Sequence, residues 1–221
     1  MDLLKTSTPE EFIATSVSYL TDAILEAQQG GKTAVIGLSG GSTPKPVYQK
    51  LSEEKTINWK RVQFFLIDER YVPTDHADSN TRMIREALLC HPGADAALLA
   101  PDTSLPLPEC IADYDKKIAA LKPDLVVLGM GQDGHIASLF PPVLPEAFGP
   151  ASVIHTTTES FAVRDRISVT FPVLENASSR LFLITGVEKI ALLEKVQDGN
   201  QDASLFPASV LMDERTTWIV G

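Results

Sequence analysis

The sequence has very little cysteine, and this scarcity excludes two classes of protein. Only Cys90 and Cys110 occur among the 221 residues. Two cysteines cannot build the disulfide framework of a small secreted domain, and their separation is not that of a metal-binding motif. The pattern favours a reduced compartment, so we expect a cytoplasmic protein without a metal site.

Long apolar runs and basic clusters are also missing. No stretch approaches the length of a transmembrane helix, and the start MDLLKTSTPEEF lacks the basic beginning and apolar core of a signal peptide. Lysine and arginine number 19 against 29 aspartates and glutamates, a formal net charge of −10. We therefore expect neither a membrane nor a nucleic acid as partner. An anionic ligand would have to be held by local cations and backbone amides.

The rest of the sequence has an ordinary globular composition, with 44% apolar residues, and is long enough for one large domain over residues 1–221. Strands are predicted at residues 33–38, 62–67, 125–128, 153–155, 166–171, 181–184 and 217–220, with 166–171 half-buried because its apolar residues alternate. Helices are predicted from Pro9 with Thr8 as N-cap, from Pro44 with Thr43 as N-cap, from Asn80 with Ser79 as N-cap, and at residues 109–121, 187–196 and 204–212. Residues 91–108 are predicted to be irregular. Short apolar strands alternating with helices are typical of an α/β protein, so we predict a Rossmann-like, mostly parallel sheet with helices on both faces. We expect a monomer or a weak homo-oligomer.

The stretch LVVLGMGQDGHIASLFPP, residues 125–142, concentrates the residues that can do chemistry. Its apolar start is typical of a strand buried on both faces, and the following glycines predict a tight turn whose amides can approach a ligand. Asp133 and His135 lie in that turn. Ligands of open α/β sheets bind outside the carboxyl ends of the strands, so a catalytic pair is expected here.

Two other interpretations of this turn are weaker. Its glycines match G-x-G-x-x-G, the dinucleotide fingerprint, but Pro141 and Pro142 interrupt the helix that this motif should open. The acidic residue that would hold a ribose is also missing, so no nicotinamide cofactor is expected. A histidine is more often structural than catalytic, but His135 stands beside a carboxylate in a glycine turn rather than on an apolar face.

The segment Ser39-Gly40-Gly41-Ser42-Thr43-Pro44 joins a predicted strand to a predicted helix. Glycine and hydroxyl residues at a helix N-terminus are typical of an anion site, although an idle turn is an alternative. The segment lacks the G-K-[ST] of a Walker A loop. It does match G-x-S-x-G with Ser39 at the nucleophile position. A nucleophile serine should lead directly into its helix, but here Gly41, Ser42 and Thr43 intervene before Pro44.

Further charged residues follow other predicted strands. Asp68-Glu69-Arg70 comes directly after the strand at 62–67, where three charges are hard to explain as packing. Lys189 lies in the first turn of a predicted helix, where a cation is unfavourable to the helix dipole. This placement suggests an anionic ligand, with a solvated lysine as the alternative.

Taken together and in order, the motifs resemble those of the superfamily that contains 6-phosphogluconolactonases and glucosamine-6-phosphate isomerases. The resemblance covers nearly the whole chain and includes residues 39–44, 68–70, 78–80 and 129–141. The resemblance to the lactonases implies hydrolysis of 6-phospho-D-glucono-1,5-lactone to 6-phosphogluconate in the oxidative pentose phosphate pathway, without a cofactor or a metal.

The resemblance also implies roles for individual residues. His135 would be the general base that activates water, and Asp133 would either orient its ring or hold a sugar hydroxyl. Arg70 would stabilise the oxyanion or bind the charged end of the substrate. The expected phosphate pocket consists of Ser42, Thr43, Arg166 and Lys189, and the other expected substrate contacts are Gly40, Gly41, Asp68 and Asn80.

Two departures from the isomerase pattern favour the lactonase branch over an aldose–ketose isomerase or deaminase of an amino-sugar phosphate. Isomerases resembling this chain carry an aromatic residue where Arg70 stands, and a glutamate where Phe140 stands. Proton shuttling on a sugar needs that extra carboxylate, whereas ester hydrolysis does not. A catalytically silent sugar-phosphate sensor is a further alternative, which the presence of Asp133 and His135 disfavours.

Overall fold

The computed structural model describes residues 1–90, 95–197 and 202–221. The α-helices are α1 Pro9–Ala27, α2 Pro44–Leu51, α3 Asn80–Ala87, α4 Leu107–Ile118, α5 Phe171–Glu175 and α6 Val187–Gln197. The strands are β1 Asp2–Lys5, β2 Ala34–Leu38, β3 Val62–Leu66, β4 Asp68–Arg70, β5 Ala97–Leu99, β6 Leu125–Leu128, β7 Val153–Thr157, β8 Asp165–Val169, β9 Ser179–Ile184 and β10 Thr216–Val220. In the described ranges, every helix is too short or too polar to span a bilayer.

Seven strands form a parallel sheet in the order β1-β10-β9-β6-β2-β3-β5. Successive residues of a strand point to opposite faces, and the core divides accordingly. Val126 and Leu128 of β6 pack with α4, α5 and α6, whereas Leu125 and Val127 pack with α1, α2 and α3. Helices therefore cover both faces of the sheet, and the predicted fold class is confirmed.

The strand order places a natural cleft between β2 and β6. The chain runs from β2 outward through β3 to β5, and later returns to add β6 on the other side of β2. At such a reversal the connections after the two strands leave in opposite directions, which opens a crevice at their carboxyl ends. The segments after β2, β6 and β9 all begin at this edge of the sheet.

A second, antiparallel sheet in the order β4-β8-β7 was not predicted. The prediction that residues 166–171 are half-buried is wrong, since Arg166 and all five residues after it are buried. Ile167 and Val169 belong to the core, and on the opposite face Ser168 accepts a hydrogen bond from the backbone N–H of Ser138 at 3.2 Å. Apolar and polar residues do alternate along β8, but the polar face of the strand packs against another part of the chain rather than facing solvent.

Helix boundaries show which local signals were informative. Thr8 caps α1 through its hydroxyl, which accepts from the Glu11 N–H at 3.1 Å, and Ser79 likewise accepts from the Arg82 N–H at 3.2 Å. The predicted Thr43 cap is wrong, because Thr43 has helical backbone angles and makes no capping bond. The helix expected at 204–212 is only a 3₁₀ turn, Pro207–Leu211.

The interval 91–108 was predicted to be irregular but contains β5 and the start of α4. Its residues 91–94 lie outside the described ones. The short edge strand β1 was also missed. The other predicted strands and helices are present, with ends that shift by a few residues.

Candidate active site

A cavity of about 590 Å³ lies at the carboxyl ends of β2, β6 and β9. All eleven residues that the sequence analysis assigns to catalysis or substrate binding line it: Gly40, Gly41, Ser42, Thr43, Asp68, Arg70, Asn80, Asp133, His135, Arg166 and Lys189. They come from six separate segments of the chain, which the fold brings together.

His135 and Asp133 form a close pair on one side of the cavity. The imidazole Nδ1 lies 2.5 Å from Asp133 Oδ1, and the His135 backbone N–H donates to the same oxygen at 3.2 Å. The turn is closed by the Gly131 N–H, which donates to the His135 carbonyl at 2.8 Å. A Cβ at position 131 would lie 2.1 Å from His135 Nδ1, so only glycine leaves room for the pair.

The protonation of this pair follows from its electrostatics. Partial burial acts to raise the pKa of Asp133, but the hydrogen bond and the charge of His135 outweigh it and hold that pKa below its ordinary value. Asp133 is therefore ionised near neutral pH and accepts from Nδ1–H. In the neutral imidazole this leaves Nε2 as a proton acceptor. This arrangement leaves Nε2 available to accept a proton, as a general base requires.

Aromatic rings surround the histidine, a feature that the sequence analysis missed. The Phe140 ring centroid lies 4.7 Å from that of His135, and Phe161 approaches the imidazole at 6.1 Å with its plane nearly perpendicular. Phe140 follows the histidine motif directly, so its proximity was open to prediction. Phe161 lies between β7 and β8, and nothing in its local sequence indicated a site.

The loop after β2 is closely fitted to α3. A Cβ at Gly40 would lie 1.8 Å from Asn80 Oδ1, so the backbone of the loop packs directly against the asparagine. The Thr43 hydroxyl lies 3.0 Å from the Thr185 hydroxyl, which joins the loop to the segment after β9. Within the described residues, the buried Ser39 Oγ has no hydrogen-bond partner. A serine nucleophile needs an adjacent base, so this geometry disfavours the nucleophile interpretation.

Two arginines stand side by side in the small sheet. Arg70 of β4 pairs in register with Arg166 of β8, which puts their Cβ atoms on the same face, about 5 Å apart. Arg166 is only 5% exposed, and its Nε donates to the Val163 carbonyl at 3.1 Å. Burial lowers the pKa of Arg166, and repulsion from Arg70 lowers it further. Two neighbouring guanidinium groups at a cavity favour an anionic ligand.

Asp68 is a buried carboxylate whose two oxygens are both engaged. Ser138 Oγ donates to Oδ2 at 2.7 Å, and Asn80 Nδ2 donates to Oδ1 at 3.2 Å. Ser138 also lines the cavity and was not assigned a role from the sequence. These contacts fix the orientation of Asp68 toward the cavity.

Glu69 has a structural explanation that the sequence analysis did not find. Its buried carboxylate accepts from the backbone N–H groups of Asn80 and Thr81, each at 2.7 Å, at the N-terminus of α3. Burial raises the pKa of Glu69, and these donors oppose the rise. Glu69 anchors α3, which carries Asn80, and does not line the cavity itself.

Lys189 lies in the first turn of α6 and borders the cavity. Its neighbour Glu188 accepts from Gln132 Nε2 at 2.6 Å, so the start of α6 is joined to the glycine turn. Among the described residues, no group of three or more His, Cys, Asp or Glu residues is placed to hold a metal ion.

Comparison with known proteins identifies the family of the chain. Residues 7–219 match the family described as glucosamine-6-phosphate isomerases/6-phosphogluconolactonase. The 6-phosphogluconolactonase of Thermotoga maritima is 37% identical over 216 residues, covering 96% of this chain and 93% of the relative. That of Neisseria meningitidis is 38% identical over 221 residues, covering 93% of each. The structure of the 6-phosphogluconolactonase from Plasmodium vivax superposes with a TM-score of 0.86 at 33% identity, covering 99% of this chain and 89% of that one. The chain belongs to the family of glucosamine-6-phosphate isomerases and 6-phosphogluconolactonases.

Proposed function

We propose that this protein hydrolyses 6-phospho-D-glucono-1,5-lactone to 6-phospho-D-gluconate, the lactone-opening step of the oxidative pentose phosphate pathway. The observation that carries the proposal is the placement of an oriented base, the His135–Asp133 pair, in the same cavity as Arg70, Arg166 and Lys189. The base would activate water for attack on the ester, and the cations would bind the phosphate.

The general base is His135. Its Nε2 takes a proton from water while the water oxygen attacks the lactone carbonyl, and the resulting imidazolium is stabilised by the Asp133 carboxylate. The bond between the carbonyl carbon and the ring oxygen then breaks, and the imidazolium returns its proton to that oxygen. The lactone carbonyl is electrophilic enough for this path to need neither a cofactor nor a metal.

The phosphate group is assigned to the loop after β2 and the cationic side chains. Ser42 and Thr43 supply hydroxyl and backbone N–H donors, and Arg166 and Lys189 supply charge. The protein as a whole is negatively charged, so these local groups have to overcome a repulsive field. Burial supports Arg166 in this role, because a guanidinium that is already desolvated and repelled by Arg70 gains most from an anion.

Arg70 and Asp68 complete the proposed site. Arg70 stands beside Arg166, and its buried Nε has no hydrogen-bond partner within the described residues. A free donor of this kind suits either the tetrahedral oxyanion or a second oxygen of the phosphate. Asp68, held by Ser138 and Asn80, is an acceptor for a sugar hydroxyl.

The test is the release of acid from freshly generated phosphogluconolactone, followed at constant pH with and without protein. The spontaneous rate is subtracted, and boiled protein is the control. Glucosamine 6-phosphate is offered in parallel, with ammonia release as the readout. We expect acid release and no ammonia; ammonia release without lactone hydrolysis would assign the chain to the isomerase branch instead.

A further inference from the structure

Phe161 is a large apolar side chain in an exposed position on the cavity. It lies in the loop between β7 and β8, is 47% exposed, and borders the cavity that holds His135 and Arg166. The loop is tied down at its base, where the Thr158 N–H donates to the Arg164 carbonyl at 3.2 Å. The ring is therefore presented by an anchored loop.

The ring stands between the base and a cation. Its centroid is 6.1 Å from that of His135, and the guanidinium carbon of Arg166 lies 5.3 Å from it. Phe140 lies 6.1 Å away on the histidine side. A substrate that reaches from the base to the cations therefore passes along the Phe161 ring.

Packing alone does not explain an exposed phenyl ring at this place. Phe148 has the same exposure, 46%, but lies outside the cavity and stacks on Phe171 at 4.6 Å. Phe161 instead leaves apolar surface open toward a cavity whose other walls combine charged and hydroxyl groups with apolar side chains such as Phe140 and Leu183. Apolar rings with a few placed polar groups are typical of small-molecule sites, where the ring is covered when the ligand binds.

We propose that Phe161 recognises the closed ring of the substrate and distinguishes it from the opened product. The inference rests on the proposed function. A lactone ring offers a compact face of C–H groups that can pack on a phenyl ring, whereas the open-chain acid is flexible and has no such face. Both carry the same phosphate, so Phe161 adds to the binding of the lactone and not to that of the product.

The test compares the KM for the lactone with the inhibition constants of 6-phosphogluconate and inorganic phosphate. In Phe161→Ala we expect the lactone KM to rise roughly 3- to 10-fold, the range of a single aromatic contact. Both inhibition constants should change by less than about twofold, which is smaller than the change expected from losing even a weak aromatic contact. Phe161→Tyr should behave as wild type, and Phe161→Leu should lie between, since it keeps apolar bulk without a flat face. Phe148→Ala, a matched exposed ring outside the cavity, should leave all three constants unchanged.

Two results would overturn the inference. An unchanged lactone KM in Phe161→Ala would show that the ring does not contact the substrate. An equal rise in the lactone KM and in both inhibition constants would show that Phe161 acts through Arg166 on the phosphate. If the wild type did not hydrolyse the lactone at all, the proposed function would fail first and the inference with it. An active wild type with an unaltered Phe161→Ala variant would overturn the inference alone.

Discussion

Replacing Asp133 by Asn removes a charge next to the proposed base while keeping the side chain's size. In the wild type the carboxylate lies 2.5 Å from His135 Nδ1. In the proposed mechanism it orients the ring and stabilises the imidazolium. A charge-assisted hydrogen bond contributes about 1.5–3 kcal/mol and a neutral one about 0.5–1.5 kcal/mol. The difference, about 1–2 kcal/mol, has to be reduced because the Asp133 side chain is 45% exposed. We therefore expect kcat to fall roughly three- to fivefold, less than for a fully buried partner.

A matched control is available on the outer face of the small sheet. Asp165 Oδ1 lies 2.8 Å from His155 Nε2 in an exposed pair away from the cavity. Asp165→Asn removes the same kind of charge and should leave kcat unchanged. If kcat of Asp133→Asn matched that of this control, the assignment of Asp133 as the partner of the base would be refuted.

The lowered pKa of Asp133 also fixes the sign of a stability effect. A carboxylate whose pKa is lower in the folded state stabilises the fold above its unfolded pKa, and this contribution is lost as the pH falls through the folded value. Below about pH 4, where unfolded aspartate becomes protonated, the wild type should lose its advantage over Asp133→Asn. Urea unfolding at pH 7 and at pH 3 measures the change.

The remaining predictions concern the other parts of the site. Arg166→Ala and Lys189→Ala should each raise KM with less effect on kcat, and unphosphorylated gluconolactone should be a much poorer substrate; equal kcat/KM for the two lactones would contradict the phosphate assignment. Ser39→Ala should weaken binding without abolishing turnover, and a serine-directed phosphonate should leave no adduct; stoichiometric labelling of Ser39 with parallel loss of activity would establish a serine nucleophile instead. Activity should survive dialysis against a chelator, since no catalytic metal spacing is present in the sequence; loss restored by one divalent ion would overturn this expectation.

Local sequence signals predicted those parts of the fold that local chemistry determines. The Thr8 and Ser79 caps follow from hydroxyls placed before helical periodicity, and β6 follows from a continuous apolar run. The burial of β8 could not be predicted, because the element that covers its polar face, the segment containing Ser138, comes from elsewhere in the chain.

The same distinction holds for the candidate site. Asp133 and His135 could be predicted to lie at the cavity because the glycines around them indicate a turn after a buried strand. Phe161 carries no such signal, and only the pairing of β7 with β8 brings it to His135. The sequence marked Glu69 as a charged residue without a packing role. Its structural role, accepting hydrogen bonds at the N-terminus of α3, is visible only in the folded structure. The extent of the domain, residues 1–221, stays a prediction.

The central claim, that His135 is the general base, is tested most directly by the kcat of His135→Ala on freshly generated phosphogluconolactone. Circular dichroism and the inhibition constant of inorganic phosphate establish that the variant is folded and keeps its anion site, and His155→Ala is the control. General-base catalysis typically contributes about 10²–10⁴ in rate, so kcat should fall by that much. The weakest expected effect is a loss of about a hundredfold in kcat. A folded His135→Ala protein that keeps more than about a tenth of the wild-type kcat would therefore contradict the mechanism.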